Sequence, residues 1–381
     1  MKLNSQRDLF DLPDDITYLS GASQSPQLKE TTQTGQASIA RKARPWNLEA
    51  SERLATVETA RQLFGQIIGS SADNIAIVPS VSYGVATAAA NIPIRAGQEI
   101  VMIEEEFPSD YYSWEALARS RNASIVTVKR PSDFDWTSAM VAQIGENTAI
   151  VTVPNCHWTD GSLIDLVQIG QRVREVGAAL VVDVTQSVGA GRLDMAEIQP
   201  DFLVSAGYKW LLCPYSQSFL YVSPKYWEGT PLELSPFNRA GSEDYSVTKY
   251  LNDFRPGARR FDVGERSDFV NLPMANTALR QILAWGVENI AETLAGLTGQ
   301  IEENLAGSRF KPVPANRRLS HIIGLRVAEE AGAESLGQLA DRLAAQKIFV
   351  SVRGQNLRIS PYLYNTPEEI EVFTNTLLVK S

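Results

Sequence analysis

A lysine set among aromatic residues opens the chemical reading of this chain. Lys209 stands between Tyr208 and Trp210, flanked by the apolar runs "DFLVSA" and "SFLYV", which read as short strands. A lysine is rarely buried without a partner. Partial desolvation lowers its pKa, and the free amine is then suited to imine formation with a carbonyl. A second group fits the first. The run "AALVVDV" delivers Asp183 near its end, with Gln186 just beyond. A carboxylate after four apolar residues needs a partner: a helix N-terminus, a core ion pair or a cationic ligand. Ligands of open α/β sheets gather at the carboxyl ends of the strands, so Lys209 and Asp183 are expected to face one crevice.

Other chemistry lies at the same kind of position. The segment "PSVSYGVATAAAN" follows a strand and opens a helix of small residues. Backbone amides near Val81 and Ser82, with the Ser82 hydroxyl, could cradle a phosphate there. The same pattern also describes any strand–turn–helix capped by serine. Phe107, ahead of Pro108 on a strand-end loop, reads either as a core aromatic or as a flat partner for a ring. His157, in "NCHWTDG", is one of only two histidines. It is a candidate acid–base or hydrogen-bonding group, or a structural residue. His321 reads as structural. Arg358, entering a strand in "LRISPYLYNTPEE", can hold a carboxylate bidentately, and Arg353 is its rival for that role.

The elements that must position these groups alternate. Residues 48–69 carry a helical apolar period and end at Gly69. Strand and helix patterns then follow one another from "NIAIVPS" to "SFLYVSP". Near-continuous Val/Ile/Leu strands in such a series predict an α/β fold with a mostly parallel sheet covered by helices. Residues 228–262 read as a long irregular connection. A helix over 273–307, the strands "HIIGLRVA", "IFVSVRG" and "LRISPYL", and two further helices near 335–346 and from 366 predict a smaller α+β unit. The expected division is an N-terminal arm over 1–30 packing on the small domain, a large domain over 31–262 and a small one over 263–381.

Composition narrows the function classes. The chain has 381 residues, 44% hydrophobic and 21% charged, with a net charge of −9. That balance suits a globular protein and argues against a general nucleic-acid binder; the one basic cluster, "RKAR" at 41–44, reads as a solvated helix face. No apolar run approaches the roughly 18 residues of a membrane span, and the first residues lack a signal-peptide core, so a cytoplasmic location is expected. Two cysteines and two histidines offer no metal-ligand spacing. The phosphate-binding motifs GxxxxGK[ST] and strand-following GxGxxG are absent, which removes the main support for a nucleotide ligand.

Taken together, the lysine, the strand-end carboxylate and the phosphate turn are what pyridoxal 5′-phosphate demands. Their order along the chain resembles the class V aminotransferase family of fold-type I pyridoxal-phosphate enzymes. That superfamily also includes cysteine desulfurases, kynureninases, isopenicillin-N-epimerase-like proteins and C–S lyases. The resemblance runs from "ITYLSGASQS" to "YLYNTPEEIEVF" and is carried most specifically by "VVDVTQSVGA", "SAGYKWLLCPY", "RRFDVGERSDF" and "LRISPYLYNTPEE". It implies a large domain with a mostly parallel seven-stranded sheet, a small C-terminal domain and a homodimer with active sites at the subunit interface. It implies that Lys209 is the Schiff-base lysine and α-proton base, that Asp183 pairs with the pyridinium nitrogen, and that Gln186 approaches the ring oxygen. Phe107 would stack on the ring, as the Phe-Pro pair does in kynureninase-like members. Val81, Ser82 and Tyr208 would hold the phosphate, Arg358 the substrate carboxylate, and Gly264 and Glu265 would approach the neighbour's cofactor. Two departures bear on the reaction. His157-Trp158 stands where desulfurases carry an Asn-Asn pair. No cysteine follows residue 214, which argues against a persulfide-forming desulfurase and leaves Cys213 as a small packing residue. The expected activity is amino-group transfer from an α-amino acid. The alternatives are a kynureninase-like hydrolase, a C–S or β-lyase, an epimerase, or a cofactor-binding regulatory protein.

Overall fold

The computed structural model describes residues 2–242, 248–327 and 334–379. In chain order its strands are β1 (Thr17–Tyr18), β2 (Ile75–Val78), β3 (Glu99–Ile103), β4 (Ser124–Val128), β5 (Thr148–Pro154), β6 (Ala179–Asp183), β7 (Phe202–Ala206), β8 (Ser218–Val222), β9 (Phe310–Pro312), β10 (Ile323–Val327), β11 (Ile348–Phe349), β12 (Ser351–Arg353) and β13 (Asn356–Ile359). The helices are α1 (Lys29–Lys42), α2 (Ala50–Ile68), α3 (Val81–Asn91), α4 (Pro108–Arg121), α5 (Trp136–Gln143), α6 (Leu166–Val176), α7 (Met195–Ile198), α8 (Asn271–Trp285), α9 (Val287–Asn304), α10 (Leu336–Ala345) and α11 (Pro367–Leu378).

A seven-stranded sheet in the order β2-β8-β7-β6-β5-β3-β4 forms the centre. β3 to β7 run parallel, while β8 is antiparallel to both β2 and β7. Its inner strands are apolar on both faces because both faces are covered, whereas edge strand β4 leaves Ser124 and Thr127 exposed. Leu180, Val182, Leu203 and Phe219 point into one core, where Phe64 of α2 stacks on Phe219 with ring centroids 4.4 Å apart. Their neighbours Val181, Phe202, Val204 and Leu220 point into the other core, under α3 and α4. This period of two sends alternate residues to opposite faces.

A second, antiparallel sheet, β12-β13-β10-β9, carries the C-terminal segment. The N-terminal residues are tied to it: β1 pairs in parallel with β11, the Gln6 amide donates to the Leu363 carbonyl at 2.8 Å, and Arg7 pairs with Glu369 at 2.9 Å. The helix expected over 273–307 is two helices, α8 and α9, separated at Gly286, whose φ of 79° breaks the helical path. Helix α1, which the polar run "KETTQTGQASIARK" did not announce, packs on α8 through a Thr34–Thr277 hydroxyl contact of 3.2 Å. In the irregular connection over 228–262 the described residues form short 3-10 turns and one antiparallel bridge between Arg239 and Phe254; residues 243–247 lie outside them. Among the described residues no helix is long and apolar enough to cross a membrane.

Candidate active site

Three consecutive structural events bring Lys209 and Asp183 together. Asp183 ends β6 and Ala206 ends β7, its parallel neighbour. The loop after β7 closes tightly: the Gly207 amide donates to Gln217 O (2.8 Å) and the Cys213 amide to Gly207 O (3.0 Å). A Cβ at Gly207 would overlap Gln217 O and Cys213 Cβ, so this turn accepts only glycine beside a small residue, and buried Cys213 fills that place. The closed loop aims Lys209 back over the strand ends into a cavity of about 300 Å³.

The cavity has distinct walls. Along one edge lies the first turn of α3. Ser80 caps it by accepting the Tyr83 amide (3.2 Å) and also contacts the Ser82 hydroxyl (2.9 Å). Gly84 lets α3 sit directly on Val204, since a Cβ there would overlap the valine side chain. The first-turn amides of a helix have no intrahelical acceptor, so Val81 and Ser82 present an anion-binding edge. Tyr208, Tyr215, Ser216 and Ser218 line the same cavity. Phe107, the residue before α4, puts its ring 5.5 Å from the Lys209 ammonium.

The charged groups here are crowded together away from water. Lys209 is 7% exposed, and burial lowers its pKa to about 8, with Asp183 opposing the shift and Arg358 and Arg353 adding to it. Burial pushes the Asp183 carboxyl up, against the Thr185 amide that donates to its Oδ1 at 2.8 Å. Two further acids crowd Asp183. Burial and the Asp183 charge raise Glu106 to about 8, and they drive Asp110 well above the usual carboxylate range. Asp110 is 2% exposed, and among the described residues neither of its carboxyl oxygens meets an N–H or neutral O–H donor. Its neighbour is another acid, Asp183, whose charge adds to burial in raising Asp110.

The model of the family described as "Aminotransferase class-V" matches residues 17–373. The chain belongs to the class V aminotransferase family. Among the curated relatives of this class V chain, an uncharacterized aminotransferase, YcbU, of Bacillus subtilis is 25% identical, with 98% of this chain and 97% of that protein covered. A probable cysteine desulfurase of Methanothermobacter thermautotrophicus is 27% identical over 98% of this chain and 96% of its own length. A kynureninase of Deinococcus radiodurans is 26% identical over 69% of this chain and 64% of its own. The class V fold superposes on a C-DES mutant with glycine covalently linked to its PLP cofactor, at a TM-score of 0.89 and 16% identity, covering 98% of both chains. It also superposes on a cysteine desulfurase of Thermococcus onnurineus, at 0.82 and 18%, again covering 98% of both.

Pyridoxal 5′-phosphate is the cofactor of this class V family, and the cavity fits it. The α3 edge suits its phosphate, the Asp183 carboxyl its ring nitrogen, and the Lys209 amine its aldehyde carbon. Of the residues singled out from the sequence, Val81, Ser82, Phe107, Asp183, Gln186, Tyr208 and Lys209 all line this one cavity. The Gln186 side chain is partly committed elsewhere: its Oε1 accepts the Trp210 indole N–H (3.0 Å) and its Nε2 donates to Ala22 O (3.1 Å). Trp210 thus packs behind the lysine rather than in the cavity.

Arg358 and Arg353 converge just outside the cavity lining. Both donate to Ser23 Oγ, at 2.7 and 3.1 Å, and Arg358 also donates to Trp158 O (2.6 Å) and Ser351 Oγ (3.2 Å). Every one of these acceptors is neutral. Burial and the Arg353 charge together lower Arg358 to about 9.

His157 departs from its expected acid–base role. The ring is fully buried, lies against Trp136 at 5.3 Å, and engages the Thr159 hydroxyl through Nδ1 (2.9 Å) and Arg130 through Nε2 (3.2 Å). It is absent from the cavity wall, which its neighbour Trp158 lines instead. The reason is the turn at Gly161, which has a φ of 81° and lies so close to Ile322 that a Cβ would overlap the Ile322 carbonyl. The turn sends 157 inward and 158 toward the cavity. His321 is buried, contacts the Gln186 carbonyl and is lowered by burial to about 4, as befits a structural imidazole. Glu106 and Asp110 are the residues the sequence reading missed. Their signal was the pair of acids bracketing Phe-Pro in "EFPSD", just past an apolar strand.

Proposed function

We propose that this chain is a pyridoxal-phosphate-dependent aminotransferase acting on an α-amino acid, with residues 31–262 as the cofactor-binding unit and 263–381 as the smaller one. The observation that carries the reading is that Lys209 is the sole amine or imidazole among the residues lining the cavity. Moving an amino group needs one base that takes a proton from one carbon and returns it to a neighbouring one, and an amine with a pKa near 8 does both at neutral pH. Hydrolytic cleavage of a side chain needs a second group to activate water, and His157 is turned away from that task. The bound cofactor supplies the electron sink for the bond broken at Cα. The Asp183 carboxyl, raised by its burial, would face the ring nitrogen and accept its proton as a hydrogen-bond partner. Arg358, whose partners are all neutral, offers its charge to the substrate carboxylate.

A persulfide route finds no support in the thiols. Burial pushes Cys156 and Cys213 far up, so neither is a ready thiolate. A homodimer completes the proposal: Trp46, Leu234 and cavity-lining Tyr215 are exposed by 79%, 72% and 66%, an apolar display suited to a second copy. Under this reading Gly264 and Glu265 approach the neighbour's cofactor.

The test is single-turnover chemistry. The cofactor-loaded protein is mixed with a panel of amino acids and no oxo acid. Conversion of the cofactor to its aminated form, with one equivalent of oxo acid released, is the expected result. Repeated turnovers yielding pyruvate, alanine or ammonia without an acceptor would sink the reading in favour of a lyase or hydrolase. Sedimentation of the same sample is expected to give twice the chain mass.

A further inference from the structure

Between β3 and Phe107 the backbone makes an unusual turn. Glu105 has a φ of 58°, a left-handed conformation that costs a residue with a Cβ, and it is not a glycine. The kink matters because the next two residues, Glu106 and Phe107, line the cavity. Strain of this kind persists only when the surroundings hold it.

Two ties hold it. Arg130, two residues past β4, donates from Nη2 to Glu105 Oε2 at 2.6 Å, and the Trp158 indole N–H donates to Glu105 O at 2.8 Å. Arg130 is itself fixed. Its Nη1 donates to fully buried Asp160 at 2.6 Å, its Nη2 reaches Thr159 Oγ1 at 3.2 Å, its backbone amide donates to Glu104 Oε2 at 3.0 Å, and its guanidinium lies 5.2 Å from the Trp136 ring centre. One arginine therefore binds the loop after β3 to the loop after β5. The second loop presents Trp158, whose ring meets Phe107 edge-on at 5.6 Å and whose carbonyl accepts Arg358.

We propose that Arg130 is a positioning residue. By holding Glu105 in its left-handed turn it aims Phe107 and Glu106 at the cofactor, without touching cofactor or substrate itself. The inference rests on the pyridoxal-phosphate reading of the cavity.

The experiment separates aiming from mere stability by restoring the backbone without restoring the charge. Glycine adopts the left-handed turn at no steric cost. Affinity for pyridoxal phosphate is measured on the full-length protein by quenching of tryptophan fluorescence, with the visible circular dichroism of the loaded protein as a report on ring orientation. Arg130→Met is expected to weaken cofactor binding by about fivefold to tenfold and to change the dichroic band. Adding Glu105→Gly in the same chain is expected to bring the affinity back to within about twofold of the starting protein. Unchanged affinity in Arg130→Met, or a double variant no better than the single one, overturns the proposal. Should Arg130→Met fail to fold, Glu105→Ala and Glu105→Gly are compared, since both delete the ion pair and only alanine strains the turn. Weaker binding in the alanine variant alone supports the proposal, and equal binding in the two overturns it. If the unsubstituted protein itself binds no pyridoxal phosphate, the functional reading falls along with this one. Binding by the unsubstituted protein with no loss in Arg130→Met sinks the positioning role alone.

Discussion

Two charge clusters, one along β2 and one at the end of β6, are built on opposite terms. In one, Asp262 is shared by Arg61 and by Arg266 (3.1 Å), and it accepts the Ile77 amide at 2.9 Å. Glu58 beside it takes Arg61 at 3.1 Å and Arg259 at 2.7 Å, while Arg259 reaches on to Asp73 at 2.7 Å. Each acid there has at least one guanidinium, and the network stitches α2, β2 and the turn at Gly257–Phe261 together. In the other, Asp183 and Asp110 share a single lysine, Lys209, Glu106 lies beside Asp183, and burial drives all three acids up. The first cluster is closed to ligands because its charges are already answered. The second is open because they are not, and unanswered charge in a cavity is where chemistry is found.

The contrast is broken most sharply at Lys209. Lys209→Ala is expected to lower turnover by about a thousandfold or more and to abolish the borohydride-reducible link to the cofactor, read by intact mass, with the unfolding midpoint of the cofactor-free protein held or raised. A surviving reducible link would place the imine elsewhere. Next in size is Arg61→Met, which strands Asp262 with one partner fewer. A cost of about 3–5 kcal/mol in denaturant unfolding is expected, with cofactor affinity of the folded protein unchanged. If this substitution were instead silent for stability and harmful to binding, the two clusters would have to exchange roles.

Asp110→Asn sharpens the comparison within the open cluster. Amide for acid replaces a group whose ionised form burial and the Asp183 charge disfavour, so stability is expected to hold or rise by about 1 kcal/mol, whereas cofactor affinity falls severalfold as Asp183 loses its companion. The smallest effect is in pH dependence. The Glu106 carboxyl titrates near 8 in the fold and near 4.5 when unfolded. Between those values the folded chain holds a proton that the unfolded chain has released, so the contribution is present below pH 4.5 and is lost as pH rises toward 8. Lys209 works the other way: its folded value is lowered to about 8, so stability is regained from pH 8 upward. Denaturant titrations of the cofactor-free protein should therefore show a shallower fall between pH 5 and 8 for Glu106→Gln than for the parent. Parallel curves would mean that Glu106 is ionised in the fold. In the closed cluster burial raises Glu58, but its bonds to Arg259 and Arg61 outweigh that and lower it, so its stabilisation is lost only as pH falls below about 4.5.

The same division explains what could be read from the letters alone. Asp183 and Lys209 were legible because each interrupts an apolar strand pattern, and such an interruption needs a reason that is visible locally. The sheet was legible for the same cause, through runs such as "AALVVD". Helix α1 was not, because its burial is decided by α8, far away in sequence, and its own residues carry little apolar period. Asp110 was not, because only the fold shows that an acid on the first turn of α4 has no solvent and no donor. Arg130 was invisible for a further reason: its partners lie 25 to 30 residues away on two different loops. His157 misled because its residue type suggested chemistry, whereas its direction was set by a glycine four residues on.

That glycine has a consequence for how a substrate arrives. The turn at Gly161 is sewn to the C-terminal sheet, with the Leu319 amide donating to Gly161 O at 2.9 Å and the Gly324 amide donating to Asp160 O at 3.0 Å. The wall that carries Trp158 and the strand that carries Arg358 are thus one piece, welded rather than hinged. Under the proposed function an amino acid meets a receptor already assembled, and its capture is expected to follow a single exponential whose rate rises linearly with concentration, without the plateau that a closing step would impose.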